Sequence, residues 1–343
     1  MSIVGYNGSM KVGVDVGALA GVANSGPSGV YRVTQEFLRT LEKYPTNYDF
    51  VTYRPEYFSP GWNYLELPLR LLKDRVEAYI GLSQALPKFY TGKKVLLVYD
   101  LGFEHYPKLY ENPARLKRIS QESVSRADAI VTMSLNTKED LIRLYNCDSK
   151  KISVTYGGVS PSFIPRNEED IREVRKRYNL QGDFFIFVGQ NRQVKNIQFL
   201  IKVFEEVKKV QKDIFLVIVG RGYQIINSDA VRVLGRVPDR ELSALYSEAR
   251  SFVTASLYEG FGLPIVEAMA CKCAVIASKV GALPDVVDDA GFLLQQNSQA
   301  KYTEAILLLA QDRQVRLDLA NKGLERSKKF SWNRFTKDVV GQI

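Results

Sequence analysis

Two carboxylates eight residues apart, Glu259 and Glu267, bracket a pair of glycines in the stretch Ser256-Leu-Tyr-Glu-Gly-Phe-Gly-Leu-Pro-Ile-Val-Glu-Ala-Met-Ala270. Gly260 and Gly262 let the backbone come close to a ligand, with Phe261 and Leu263 completing the turn, and the free N–H groups of a helix start attract negative charge or sugar hydroxyls. Pro264 suits a first helical turn, so the helix starts here. Glu267, about one turn in, is then expected to face the same side as Glu259. A third ionisable group, Lys195 in Gln190-Asn-Arg-Gln-Val-Lys-Asn196, stands before another helical pattern, where an ammonium and helix-start amides can act on one anion. Arg192 offers a second cation. These types suit an anionic, hydroxyl-bearing ligand. Taken singly, each also fits a structural role: glycine turns join strands to helices in many α/β proteins, and the helix dipole alone favours an early glutamate.

Short apolar runs must hold these groups. Ser251–Ser256, Phe184–Gly189, Ile214–Gly220, Val231–Gly235, Cys273–Ser278 and Gly291–Leu294 read as buried strands in the second half, and Lys11–Asp15, Phe50–Tyr53, Lys94–Tyr99, Ala129–Met133 and Lys151–Tyr156 in the first. Helical patterns separate several of them, which predicts α/β architecture with parallel sheets covered on both faces. In the first half a loop rich in small residues, Gly17 to Gly29, precedes a helix from Val30 to Leu41. Such a loop can cradle phosphate, and Gly29 is the candidate there. Tyr99-Asp100-Leu101 ends a strand, where open parallel sheets place ligands. The strand pattern stops at Gly157-Gly-Val-Ser-Pro-Ser-Phe-Ile-Pro-Arg166, which predicts one domain over residues 1–165, a second over 166–328, and a terminal helix over 329–343.

At 343 residues the chain is long enough for two domains, and 45% hydrophobic with 25% charged residues describes a globular protein. The opening Met1-Ser-Ile-Val-Gly-Tyr-Asn carries no basic-then-apolar leader and no run is long enough to span a bilayer, so we expect a cytosolic protein. The three cysteines form no metal-ligand spacing with the single histidine, His105, which we expect at a surface or loop position. One histidine excludes His-based metal clusters and Ser-His or Cys-His nucleophile pairs. The net charge of +9 is spread over both halves without a nucleic-acid motif, so no nucleic-acid partner is expected. Leu65 to Leu82, interspersed with Arg70, Lys73 and Arg75 and followed by Lys88, Lys93 and Lys94, fits either a core-facing helix with a solvated basic side or a segment resting on an anionic membrane.

The string Glu259-Gly-Phe-Gly-Leu-Pro-x-x-Glu267-Ala resembles the Glu-x7-Glu signature of the family-four retaining glycosyltransferases, and the likeness extends densely from Phe184 to Trp332 and loosely before that. It implies a GT-B fold, two Rossmann-like doubly wound domains facing across a cleft, with the terminal helix crossing back to the first. It further implies that Glu259 bonds hydroxyls of a nucleotide-diphosphate-sugar, Glu267 its ribose and Lys195 its diphosphate, and that Val237 and Asp239, after Gly235, meet the base. Asp239 fits a helix N-cap equally well. The loop with Gly29 would close over the diphosphate and shape the acceptor site.

Departures from the family occur at Gln190, where relatives carry arginine and Arg192 would substitute, and at Lys272 and Ala274 in a turn. At Tyr99 relatives carry histidine, and a phenol cannot carry a proton at neutral pH as imidazole does. With no Asp-x-Asp motif, neither metal nor cofactor is expected. The implied activity is retaining sugar transfer to a saccharide or lipid-linked acceptor, in surface polysaccharide or glycolipid assembly at the inner membrane face. A GT-B epimerase or hydrolase and a catalytically silent partner subunit stay open beside it.

Overall fold

The computed structural model describes residues 9–20, 28–55, 61–223, 226 and 228–343. The chain divides into two units: residues up to Gly157 together with Trp332–Ile343, and Gly158–Ser331.

In the first unit, β1 (Lys11–Asp15), α1 (Gly29–Leu41), β2 (Asp49–Tyr53), α2 (Leu67–Lys73), β3 (Ala78–Gly81), β4 (Lys93–Val98), α3 (Gly102–His105), α4 (Pro113–Arg126), β5 (Ala129–Thr132), α5 (Leu135–Tyr145) and β6 (Ile152–Val154) follow in order. The six strands form one sheet in the order β2-β1-β3-β4-β5-β6, and every pairing is parallel. Strands buried on both faces explain the unbroken apolar runs, Val95 to Val98 and Ile130 to Val131 being at most 1% exposed. In the second unit come α6 (Glu168–Arg177), β7 (Asp183–Val188), α7 (Ile197–Val210), β8 (Ile214–Val219), β9 (Val231–Gly235), α8 (Asp239–Glu248), β10 (Phe252–Thr254), α9 (Leu263–Ala270), β11 (Val275–Ser278), α10 (Leu283–Val287), β12 (Phe292–Leu294), α11 (Gln299–Gln311) and α12 (Arg313–Ser327). Its sheet, also parallel, runs β12-β11-β10-β7-β8-β9. Counted from β7, that is the 3-2-1-4-5-6 order of a dinucleotide-binding fold, whose direction reverses between β7 and β10.

Three expectations change. The first boundary lies at Gly157 rather than after residue 165, because the linker is tied to α8: Ile164 N donates to Ser243 Oγ at 3.3 Å, and Arg166 N to Ser247 Oγ at 3.0 Å. The second falls before Trp332 rather than after residue 328. From there α13 (Trp332–Val340) buries Trp332, Phe335 and Val339 in the first unit, with Phe335 edge-on to Phe37 at 6.4 Å and Thr155 Oγ1 donating to Asp338 Oδ2 at 2.7 Å. Thr40 and Thr336 share a buried hydrogen bond. Third, Leu65–Leu82 is not one helix. It holds a helical segment over Trp62–Lys73, a turn at Arg75 (φ 56°) and the fully buried central strand β3.

Candidate functional site

Ligands of open parallel sheets settle outside the carboxyl ends of the strands where the strand order reverses. In the second unit those ends are β7 and β10, and Lys195 and Glu259 come from the loops that follow them. The loop after β7 closes in a 3₁₀ turn, Gln193–Lys195, opened by the exposed Arg192, whose carbonyl accepts the Lys195 N–H at 2.8 Å. The loop after β10 is held against it, Leu257 N donating to Val194 O at 2.8 Å. Lys195 Nζ thereby reaches Glu259 Oε1 at 2.5 Å, with side chains 21% and 15% exposed. An ammonium carries three donors, so Lys195 keeps two for an incoming anion.

Glu259 is held from behind. Ser256 Oγ donates to the same Oε1 at 2.7 Å, and Ser256 and Thr254 hydroxyls lie 3.0 Å apart. The phenol of Tyr302 donates to Thr254 O at 3.0 Å, and all three residues are buried. The main chain of Glu259 is pinned too: Ala282 N donates to Glu259 O at 3.0 Å, and the Cβ that Gly281 lacks would fall 2.3 Å from that oxygen. Ser256 and Gly281 are the site residues that sequence reasoning missed. The signal for Gly281 was present, since strand, glycine and Pro284 repeat the form of strand, Gly262 and Pro264.

Gly262 (φ 94°) caps α9, where a Cβ would lie 2.9 Å from Leu283 Cδ2, so the turn admits glycine by both shape and space. Leu263 is the first helical residue. Gly260 and Phe261 are buried, and Phe261 packs edge-on against Phe330 at 5.6 Å. Glu267 is the fifth residue of α9 and 7% exposed. Burial pushes the Cys271 thiol one turn on up to about 12; the hydrogen bond from Ser243 works against this, and the Glu267 charge adds to it.

Val237 and Asp239 follow β9, two strands from β7 along the same sheet edge. The three strand ends are laced by glycines: Gly189 N bonds Val219 O at 2.9 Å and Gly220 N bonds Gly235 O at 2.8 Å. Val237 is buried. Asp239 is the first residue of α8 rather than its N-cap, a place taken by Pro238. The extended backbone before the helix is one that proline's fixed φ adopts readily.

The first unit holds the remaining candidates apart from these. Tyr99 directly follows β4, its phenol donating to Leu82 O at 2.8 Å. Burial, then the nearby Asp15 charge, raise its pKa beyond the ordinary phenol range, partly opposed by a Thr34 hydrogen bond. It stays protonated. Asp100 Oδ1 accepts the Gly102 N–H at 2.8 Å and so starts α3. Gly29 is the exposed first residue of α1, whose N-cap Ser28 accepts from Tyr31 N at 3.2 Å; residues 21–27 of its loop lie outside the described residues. At this sheet's own reversal, between β1 and β3, Asp15 accepts from Gly17 N at 2.8 Å and Ser83 N at 2.9 Å, and burial raises its pKa. His105 lies at the surface, exposed at the end of α3, its Nε2 2.7 Å from the buried Asp140.

Two parallel sheets of these orders, with the second unit's ion pair at its reversal, define the GT-B class of fold. A sucrose-phosphate synthase from Thermosynechococcus elongatus shares it at 19% identity and a TM-score of 0.78, over 97% of this chain and 98% of that one. The family described as Glycosyl transferases group 1 matches residues 169–326. An uncharacterized glycosyltransferase of Methanocaldococcus jannaschii, MJ1178, is 30% identical over 299 residues, 81% of this chain and 80% of its own. The chain belongs to the glycosyltransferases. The O-antigen chain mannosyltransferase B of Escherichia coli is 32% identical over 252 residues, 69% of this chain; the chain spans 65% of that relative's length.

Proposed function

We propose that this protein transfers a sugar, with retained anomeric configuration, from a nucleotide-diphosphate-sugar to an acceptor hydroxyl in surface polysaccharide assembly. The observation that carries this reading is the Lys195–Glu259 pair at the β7/β10 reversal. Negative charge grows on the departing diphosphate, and a fixed ammonium with the amides at the start of α9 meets it. In this reading Glu259 turns to the donor's hydroxyls as Lys195 turns to phosphate, and Glu267 takes the ribose. Arg192 lends further charge, Val237 and Asp239 border the base, and Gly260 to Leu263 line the donor. Tyr99 and Asp100 belong to the acceptor side, and Gly29 to the donor's diphosphate. Tyr99, protonated and with its one O–H given to Leu82 O, cannot remove a proton, so the donor phosphate is assigned the acceptor proton. The mannosyltransferase relative makes mannose the first donor sugar to try.

A thermal-shift panel of nucleotide-sugars, followed by mass and anomeric analysis of products with a saccharide acceptor, tests the reading. Donor breakdown without acceptor would favour an epimerase or hydrolase, and donor binding with no product under any condition a silent subunit. Because Lys195 and helix amides supply the charge, the reaction is assigned no metal, and turnover is expected to be unchanged by EDTA; a loss restored by one divalent cation would overturn that. Glu267→Ala is expected to weaken donor binding about tenfold to a hundredfold by calorimetry, the effect of removing one charged hydrogen-bond acceptor. An unchanged dissociation constant would remove Glu267 from the donor site.

A further inference from the structure

We propose that the outward face of the helical segment Trp62–Lys73, with Lys88 and Phe89, docks on the surface of an anionic lipid bilayer. The segment is two-sided. Leu67 and Leu71 are fully buried against the first unit's core, whereas Leu65, Leu69 and Leu72, at the i, i+4, i+7 spacing of one helix face, are 64%, 64% and 75% exposed. Phe89 is 68% exposed, and among the described residues only Val210 is a comparably exposed large apolar side chain elsewhere. Singly scattered exposed leucines need no explanation, but a contiguous set does. Phe89 adjoins the set: Lys88 N donates to Asn63 O at 2.8 Å, and Lys88 Nζ sits 5.1 Å above the Tyr64 ring and 5.5 Å from that of Phe89.

The charges around these side chains select the occupant. Glu66 is taken by Arg70 at 2.8 Å, and Asp74 accepts the Tyr53 hydroxyl at 2.7 Å. Lys73, Arg75 and Lys88 are exposed and have no carboxylate partner among the described residues. An apolar ridge flanked by unpaired cations, with aromatic rings at its edge, matches the acyl boundary and phosphate layer of an anionic membrane. A second copy fits worse, since a twofold contact over this face brings its cations against their own counterparts. No helix among the described residues is long and apolar enough to cross a membrane, so the contact is a surface one.

The experiment is flotation of the full chain with vesicles of phosphatidylglycerol and phosphatidylethanolamine, and with phosphatidylcholine alone. Binding is expected on the anionic vesicles only, and weakening with salt. Two variants separate the contributions: Leu65→Ser/Leu69→Ser/Leu72→Ser is expected to lower vesicle affinity about a hundredfold, and Lys73→Glu/Arg75→Glu/Lys88→Glu by at least as much. Both alter exposed side chains, and the thermal shift given by a nucleotide-sugar checks that each is folded. Absence of wild-type binding at low salt, or equal binding by wild type and both variants, would overturn the proposal. So would a lipid-free dimer that the leucine substitutions dissolve. The donor reading stands or falls separately, because neither variant touches the second unit.

Discussion

Replacing Lys195 with alanine is expected to lower turnover by a factor of about a hundred or more, which corresponds to about 2.7 kcal/mol of lost transition-state stabilisation. A diphosphate leaving a sugar gains negative charge, and in the proposed reading Lys195 meets it from a 3₁₀ turn bonded to the neighbouring loop through Leu257 N and Val194 O at 2.8 Å. Its partner Glu259 would still be fixed by Ser256 Oγ at 2.7 Å in the variant, so the carboxylate stays in place while the cation is gone. The two side chains are only 21% and 15% exposed, so the variant leaves a largely buried carboxylate without its cation and is expected to melt somewhat earlier as well. Saturating-donor turnover, measured beside thermal melting, checks this. A variant that melts early yet turns over at the wild-type rate would make the lysine a structural partner of Glu259 and nothing more. Lys195→Arg is the informative companion, because it keeps the charge but not its compact placement.

Much of the fold was legible because it is written locally. Apolar runs ended by glycine, such as Phe184–Gly189 and Ile214–Gly220, coincide with β7 and β8, and β10, β11 and β12 show as apolar runs without that ending. The exception, β3, is four residues long and sits inside a basic, leucine-rich stretch whose helical end dominates its pattern. A turn at Arg75 with φ 56° splits the two, and nothing about an arginine announces a left-handed backbone. The domain boundary slipped by eight residues for a related reason. Gly157 and Pro165 are equally plausible breaks by composition, and what decides is that Ser243 and Ser247, far along the chain, bond the intervening segment.

The site shows the same division. Glu259 and Lys195 declare themselves through charge type and position before a helix. Ser256 and Gly281 matter because sheet order sets β10 between β7 and β11, which no local pattern specifies. Arg192 is a different case: its backbone places Lys195 through the bond at 2.8 Å, a role independent of the guanidinium that drew attention to it.

Gly281→Ala tests that non-local part of the architecture, and it is expected to damage both stability and donor binding. Gly281 has φ +50°, a conformation that costs an ordinary residue about 1–2 kcal/mol. Its missing Cβ would also lie 2.3 Å from Glu259 O and 3.2 Å from Glu259 N, and these are backbone atoms that cannot swing aside as a side-chain tip does. Relieving that overlap adds about 1–3 kcal/mol, so a loss near 3 kcal/mol or more is expected from urea unfolding. The comparison that isolates the close approach is Gly235→Ala. Gly235 shares the left-handed conformation, at φ +69°, yet a Cβ there meets nothing within 4 Å. It should lose the conformational part alone, about 1–2 kcal/mol. Equal losses at the two positions would mean that the loop after β11 does not pin Glu259. A larger loss at Gly281, with donor affinity falling while the protein remains folded, would tie the carboxylate's position to that glycine: the Ala282 N–H to Glu259 O bond of 3.0 Å cannot survive displacement of either loop.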